Sequence, residues 1–280
     1  MIKKIIKGFI FGGHLLSLGA VGLTFGAAFV LGIKTDALFF VVVYLWTEAV
    51  YLYNRFKEIN KDVVTDPQRT HYLKKNIKSL PYIIFFFFLL GVAILIYLNK
   101  IPALLFGLLL FLLSVLYSLF LKKFTRKVVA FKSFFVSLIW ALMLVFLVLY
   151  YSFPFSWALL LLLIFVYLKL FIHEEFLNLT DVEGDNKERL QTLAIVLGEE
   201  KLLKLLNIIN ILSIIPLGLG VYFNLLPVYS LGLLLAIPYV FYYLKVLPQK
   251  QKNQEILSAT LVDGEFVLWP IFLLLIKKVS

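Results

Sequence analysis

An all-α fold, a polytopic membrane helical bundle of about nine transmembrane helices, is what this sequence predicts. Three observations lead there. Hydrophobic residues make up 62% of the 280 and charged residues 15%, where a soluble globule is nearer half apolar and a quarter charged. Mean hydropathy is +0.98. Apolar stretches of about 20 residues, the length needed to cross a bilayer as a helix, recur along the chain between charges, Pro or Asn, and no two-residue strand alternation separates them.

In chain order the spans are expected at 8–33, 36–59, 80–98, 101–121, 128–151, 155–178, 203–223, 226–246 and 256–276. The first follows the basic, then apolar start MIKKIIKGFIFGGHLLSLGA. That start resembles a signal peptide, but its apolar stretch is too long and leads into further spans, so an uncleaved helix is expected. Gly12, Gly19, Gly22 and Gly26 on it predict close helix packing, with His14 as a packing residue. The second span holds Glu48 well inside its apolar run, the sixth holds Lys169, and Asp263 and Glu265 interrupt the ninth. Only two loops exceed a dozen residues, 60–79 and 179–202, and long ordered loops are usually functional. With short loops elsewhere, residues 1–280 read as a single integral-membrane domain.

Cysteine is absent, which excludes disulfides, thiolate catalysis and Cys-ligated metal. The net charge of +11 marks orientation. Lys34, Lys100, Lys277 and Lys278 lie on one side and Lys169 within a span; the other lysines and arginines gather in the N-terminal tail and the loops after spans two, four, six and eight. The positive-inside rule then expects a multi-pass protein of the cell membrane, with the N-terminus and basic loops cytoplasmic. No aromatic–basic pattern points to nucleic acid, and no obligate protein partner is evident; membrane lipid is the expected surrounding.

Two acidic clusters end the second and sixth spans. In YLYNRFKEINKD they are Asn54, Glu58 and Asp62; in HEEFLNLTDVEGD they are Glu174, Asn178, Asp181 and Asp185. At about 100° per residue, the second set falls within about 60° of one helical face. Glu48, Tyr51, Arg55, Glu58 and Asp62 share a face of about 80° on the second span. Both spans run outside to inside, so both clusters reach the same membrane face. Carboxylates there are costly unless solvated, paired or holding a cation, and oxygen ligands suit a hard ion such as Mg²⁺ that also grips phosphate. Arg55, Arg69, Lys122, Lys123, Lys187 and Arg189 are candidate cations for an anionic ligand. Acids for Mg²⁺ beside basic loops describe a diphosphate site, and the lipid-like surroundings suit a long-tailed diphosphate. Ordinary alternatives exist: an ion pair of Glu48 with Arg55, a solvated helix end for Glu58 and Asp62, and orientation-setting lysines.

The stretch DVEGDNKERLQTLAIVLGEEK resembles the second signature of the UbiA superfamily of intramembrane prenyltransferases, through Asp181, Asp185, Lys187, Thr192, Leu193, Leu197 and Gly198. Asn54, Glu58 and Asp62 resemble its first signature, and Tyr117, Lys122 and Lys123 in LYSLFLKKFT give a weaker third match. The resemblance implies nine helices and Mg²⁺-assisted loss of diphosphate from an isoprenoid diphosphate, with the prenyl group passing to an aromatic or other lipophilic acceptor. It implies Glu58, Asp62, Asp181 and Asp185 as catalytic metal ligands, with Asn54 and Asn178 as neutral oxygen ligands. Arg55, Lys122, Lys123 and Lys187 would bind diphosphate; Asn54, Arg69, Tyr117, Glu174 and Asn178 complete the substrate-binding set. Two departures stand out: Arg55 replaces the first acid of the first signature, and Asn178 an acid before Asp181. A catalytically impaired relative that binds or presents isoprenoid diphosphates is the alternative Arg55 favours. A transporter, with carboxylates at mid-membrane, fits the interfacial acids less well.

Overall fold

Polar caps and first-turn prolines set where the helices begin. The Asp36 carboxylate accepts the Phe39 N–H at 2.9 Å, and the Ser156 hydroxyl accepts the Leu159 N–H at 3.3 Å, satisfying donors a helix start leaves open. Pro67, Pro81 and Pro102 stand in the first turns of their helices, where the missing N–H costs nothing. The computed structural model describes residues 2–60, 62–248 and 255–278. Lys61, with Lys250 and Lys252 of the basic loop after the eighth span, lies outside the described residues.

The order is α1 (Ile2–Phe11), α2 (His14–Val30), α3 (Ala37–Glu58), α4 (Asp62–Thr65), α5 (Pro67–Lys74), α6 (Leu80–Tyr97) and α7 (Ile101–Leu119). After a 3₁₀ turn at Leu121–Arg126 come α8 (Phe131–Ala141), α9 (Met143–Tyr150), α10 (Trp157–Thr180), α11 (Val182–Lys187) and α12 (Leu193–Leu197). Then follow α13 (Glu199–Leu212), α14 (Ile214–Tyr222), a 3₁₀ stretch at Val228–Leu235, α15 (Ala236–Val246) and α16 (Glu255–Lys277). No strand occurs among the described residues. Among the described residues eight helical stretches are long and apolar enough to cross a membrane, and α2 is a shorter apolar helix of 17 residues. The chain is a multi-pass membrane protein.

The expected first span, 8–33, is two helices. Gly13 adopts φ 96, and the Tyr51 ring fills the space its Cβ would occupy; only glycine accepts both conditions. The loops expected at 60–79 and 179–202 contain α4 and α5, and α11 and α12. Their polar composition hid short helices that fall between the long apolar spans.

Small residues let helices approach closely. Gly19 and Gly22 of α2 rest on the Asp263 and Phe266 carbonyls of α16, and Gly26 on Trp269 and Leu273. Gly12 instead lies over its own chain, against Gly8 and His14. Trp46 of α3 fills the hollows left by Gly91 of α6 and Gly107 of α7.

Charges inside the bundle are paired. Lys169 Nζ lies 3.1 Å from Glu265 Oε1 and donates to Asn210 Oδ1 at 3.1 Å; the Tyr243 hydroxyl donates to Glu265 at 3.3 Å. Glu48 accepts the Ser17 hydroxyl at 2.6 Å and lies 3.3 Å from His14 Nδ1. Its partners are therefore on the adjoining helix α2 and not Arg55, which turns to the helix end.

Lys169→Met should lower stability by about 3–5 kcal/mol, because Glu265 is left charged and alone in the core. Thermal unfolding in detergent checks this, and Lys169→Met with Glu265→Gln should recover most of the loss. An unchanged single variant would show that the pair carries no such constraint.

Candidate functional site

The last turn of α3 presents Asn54, Arg55 and Glu58, but α3 stops there. Asp62 belongs to the first turn of α4, so the face drawn along one helix from Glu48 to Asp62 ends at Glu58. On α10 the same correction holds. The helix ends at Thr180, Asp181 sits at the junction with α11, and Asp185 lies on α11 with its N–H donating to the Asp181 carbonyl at 2.9 Å. Helices α4 and α11 then close the gap between the two ends: a Cβ on Gly184 would stand 3.1 Å from the Thr65 methyl.

A third segment is stitched to them. The Gln191 N–H donates to the Thr125 carbonyl and the Ala130 N–H to the Gln191 carbonyl, each at 2.8 Å. This holds the 3₁₀ turn carrying Lys122 and the start of α8, carrying Lys132, beside the acids.

Each acid faces a cation. Arg55 Nη1 donates to Asp62 Oδ2 at 3.1 Å, and Arg69 pairs with Asp66 and lies 3.7 Å from Asp62. Lys122 donates to Glu58 Oε1 at 2.6 Å and lies 3.4 Å from Glu188. Lys132 stands 3.9 Å from both Asp181 and Asp185. Arg55 also feels Asp66 and Asp181, so the two acidic ends share one electrostatic neighbourhood. Burial pushes the Asp66 and Asp185 carboxyls above the ordinary range, opposed chiefly by Arg69 and Lys132 respectively.

These groups head a cavity of about 1030 Å³. Asn54, Arg55, Glu58, Arg69, Tyr117, Lys122, Glu174 and Asp181 line it. Asp62 and Asp185 stand behind the lining, each held by a lining cation, Arg55 and Lys132. Asn178 is fully buried and donates to the Ser133 hydroxyl at 2.9 Å. Lys123 borders a small neighbouring pocket with Arg126 and Glu188. Lys187 is 60% exposed and pairs with Glu183 at 3.0 Å along α11. From the polar head the cavity runs into the bundle past Trp140, Met143, Phe111 and Phe146 to Val43 and Trp46.

Among the described residues no three carboxylate or imidazole groups converge as a ready metal cage, because basic side chains stand between them. Two buried oxygens, Asp185 Oδ2 and Asn178 Oδ1, nevertheless have no hydrogen-bond partner. Oxygen donors of this kind fit a hard cation such as Mg²⁺.

Sequence reasoning missed Lys132, which reads there as one more orientation-setting lysine. It also missed Asp66, although Asp-Pro is a helix-start signal. His173 and Asp263 line the same cavity; they lie 90 positions apart, and no local pattern joins them.

Fold and cavity together define an intramembrane helical bundle with a charged head and an apolar interior. The family profile of the UbiA prenyltransferase family matches residues 15–270, and the chain belongs to that family. Among solved structures, an apo UbiA homologue from Aeropyrum pernix K1 matches with TM-score 0.67 at 12% identity, over 91% of this chain and 96% of its own. A UbiA homologue from Archaeoglobus fulgidus bound to GPP and Mg²⁺ matches with TM-score 0.65 at 13% identity, over 95% and 99%. A digeranylgeranylglyceryl phosphate synthase matches with TM-score 0.59 at 18% identity, over 100% and 98%. No curated protein matches the sequence.

Proposed function

We propose that this chain transfers a prenyl group from an isoprenoid diphosphate to a lipophilic acceptor within the membrane, with Mg²⁺ as cofactor. The observation that carries the reading is the single cavity whose one end alternates acids with Arg55, Arg69, Lys122 and Lys132 and whose other end is apolar. From Glu58 to Val43 it follows α3 for about 22 Å, at 1.5 Å per residue. A ligand filling it has a multiply charged anionic head and a long apolar tail. The Archaeoglobus fulgidus relative bound to GPP and Mg²⁺ supports that identity.

In the reaction the allylic C–O bond breaks and its electron pair leaves on the diphosphate. Arg55, Arg69, Lys122 and Lys132 donate to the oxygens on which that charge settles. The aromatic wall of Trp140, Phe111 and Phe146 keeps water from the allylic cation and offers it ring faces. Bound between Asn54, Glu58, Asp62, Asn178, Asp181 and Asp185, Mg²⁺ would supply further positive charge to the leaving group. Short loops between the spans support a single domain in the cell membrane, and the lysine distribution supports a cytoplasmic N-terminus and site.

Asp62→Asn and Asp181→Asn should each reduce Mg²⁺-dependent product formation by about 100-fold. Purified protein, geranylgeranyl diphosphate and a panel of acceptors provide the assay, and near-wild-type rates in both variants would break the metal assignment. Diphosphate binding without turnover by wild-type protein would favour the impaired relative.

Arg55→Asp restores a carboxylate where the first signature has one. Its Mg²⁺ titration should shift to lower concentration while the Kd for prenyl diphosphate rises about tenfold, one charge-assisted hydrogen bond being lost. If both curves superimpose on wild type, Arg55 contacts neither partner.

A further inference from the structure

We propose that His173, Glu174 and Asp263 form the acceptor subsite and that it recognises a neutral acceptor through a hydroxyl group. The proposal rests on the prenyl-transfer reading and adds the chemical class of the second substrate.

All three side chains line the cavity. His173, on α10, is 3% exposed, and its Nε2 lies 3.0 Å from Asp263 Oδ1 on α16. That bond fixes the ring across the seam between two helices and turns Nδ1 towards Glu174. Nδ1 is buried and without a hydrogen-bond partner, because Glu174 Oε1 stands 3.8 Å away, beyond hydrogen-bond reach. The Ser258 hydroxyl, on the same wall, is also buried without a partner.

A buried polar atom in such a gap is costly unless a ligand completes it. The prenyl tail has no polar atom to offer, so it cannot be the group that does so. Diphosphate is unsuited as well, since Glu174 and Asp263 would repel it. A hydroxyl both donates and accepts, so with Nδ1 protonated a single oxygen can accept from Nδ1–H and donate to the Glu174 carboxylate. The two carboxylates disfavour an acceptor carboxylate at the same point.

Position agrees with this role. Glu174 lies within the field of Lys132, which pairs with Asp181 and Asp185. The triad therefore borders the head of the donor site. His173 lies seven residues before the end of α10 at Thr180, about 10 Å deeper by the helical rise, where an acceptor would lie beside the first carbons of the prenyl chain.

The test uses full-length protein in lipid vesicles, with His173→Gln and Asp263→Asn as variants. Binding of geranylgeranyl diphosphate with Mg²⁺ is measured apart from ring prenylation of matched phenols, their methyl ethers and carboxylate analogues. In that reaction a ring carbon bonds to the prenyl group and loses its proton, so the ether remains a competent nucleophile. Wild type should prefer the hydroxyl compounds over their methyl ethers by at least about tenfold. In both variants the acceptor KM should rise about tenfold and that preference should shrink, with donor Kd within about threefold of wild type. Retained donor binding shows that the variants fold. Equal use of the methyl ethers by wild type, or unaltered acceptor KM in both variants, would overturn the assignment alone. Donor Kd rising in step with acceptor KM would return the triad to the diphosphate site. Failure of wild type to bind the donor would remove the prenyl-transfer reading, and the subsite with it.

Discussion

Arg55 and Lys132 are the cations on which the polar end of the cavity is assembled. Between them they face Asp62, Asp181 and Asp185 at 3.1 to 3.9 Å. Unneutralised, carboxylates this close under a low-dielectric roof would repel one another by several kcal/mol or take up protons. The cations thus let α3 and α10 end side by side. They also give the site a property that neither acids nor bases would have alone. An anion that draws Arg55 and Lys132 towards itself uncovers carboxylates, and a dication arriving with it covers them again. On the prenyl-transfer reading, diphosphate and Mg²⁺ enter as complements to a charge lattice already in place.

That lattice depends on short segments lying between the long apolar spans. Helix α4 delivers Asp62 and α11 delivers Asp185, while the Gln191–Thr125 and Ala130–Gln191 backbone bonds hold the turn that carries Lys122 and the start of α8. The long spans set depth and direction, and these pieces set the separations. The charged residues that matter most therefore lie on the least apolar parts of the chain.

This division explains what was legible in the sequence. Spans such as Leu80–Tyr97 and Ile101–Leu119 follow from hydropathy and first-turn prolines alone. The break at Gly13 does not, since a Gly pair in an apolar run reads equally as packing; it is the Tyr51 ring, a tertiary partner, that decides. In the site, Glu58 and Asp181 reach the cavity as their spacing suggests, but Asp62 and Asp185 leave the helical faces drawn for them because they belong to the separate short helices α4 and α11. Lys132 gave no local signal because its meaning comes from Asp181 and Asp185, which the fold brings to it. Lys187 matched a motif yet pairs along its own helix, exposed. Motif spacing records which residues a family uses, whereas exposure depends on where a helix happens to stop.

The ionisable groups of the bundle sort into two kinds, and the distinction is physical. Lys169 with Glu265, and His14 with Glu48, each lie within 3.3 Å of their partner, and neither pair lines the cavity. Ser17 and Tyr243 donate to Glu48 and Glu265, and Asn210 accepts from Lys169, which fixes the pairs further. Such groups are held in one state, and that is a packing role. At the cavity the pairing is looser: Lys132 stands 3.9 Å from Asp181 and Asp185, Glu174 stands 3.8 Å from His173, and the Tyr117 hydroxyl and His173 Nδ1 make no hydrogen bond. Buried oxygens without a hydrogen bond also occur inside the bundle, Glu48 Oε1 and Glu265 Oε1 among them, so such an atom points to a ligand only where it faces the cavity. Looser pairing around a chamber, more than acidity or burial alone, leaves these groups available to a ligand.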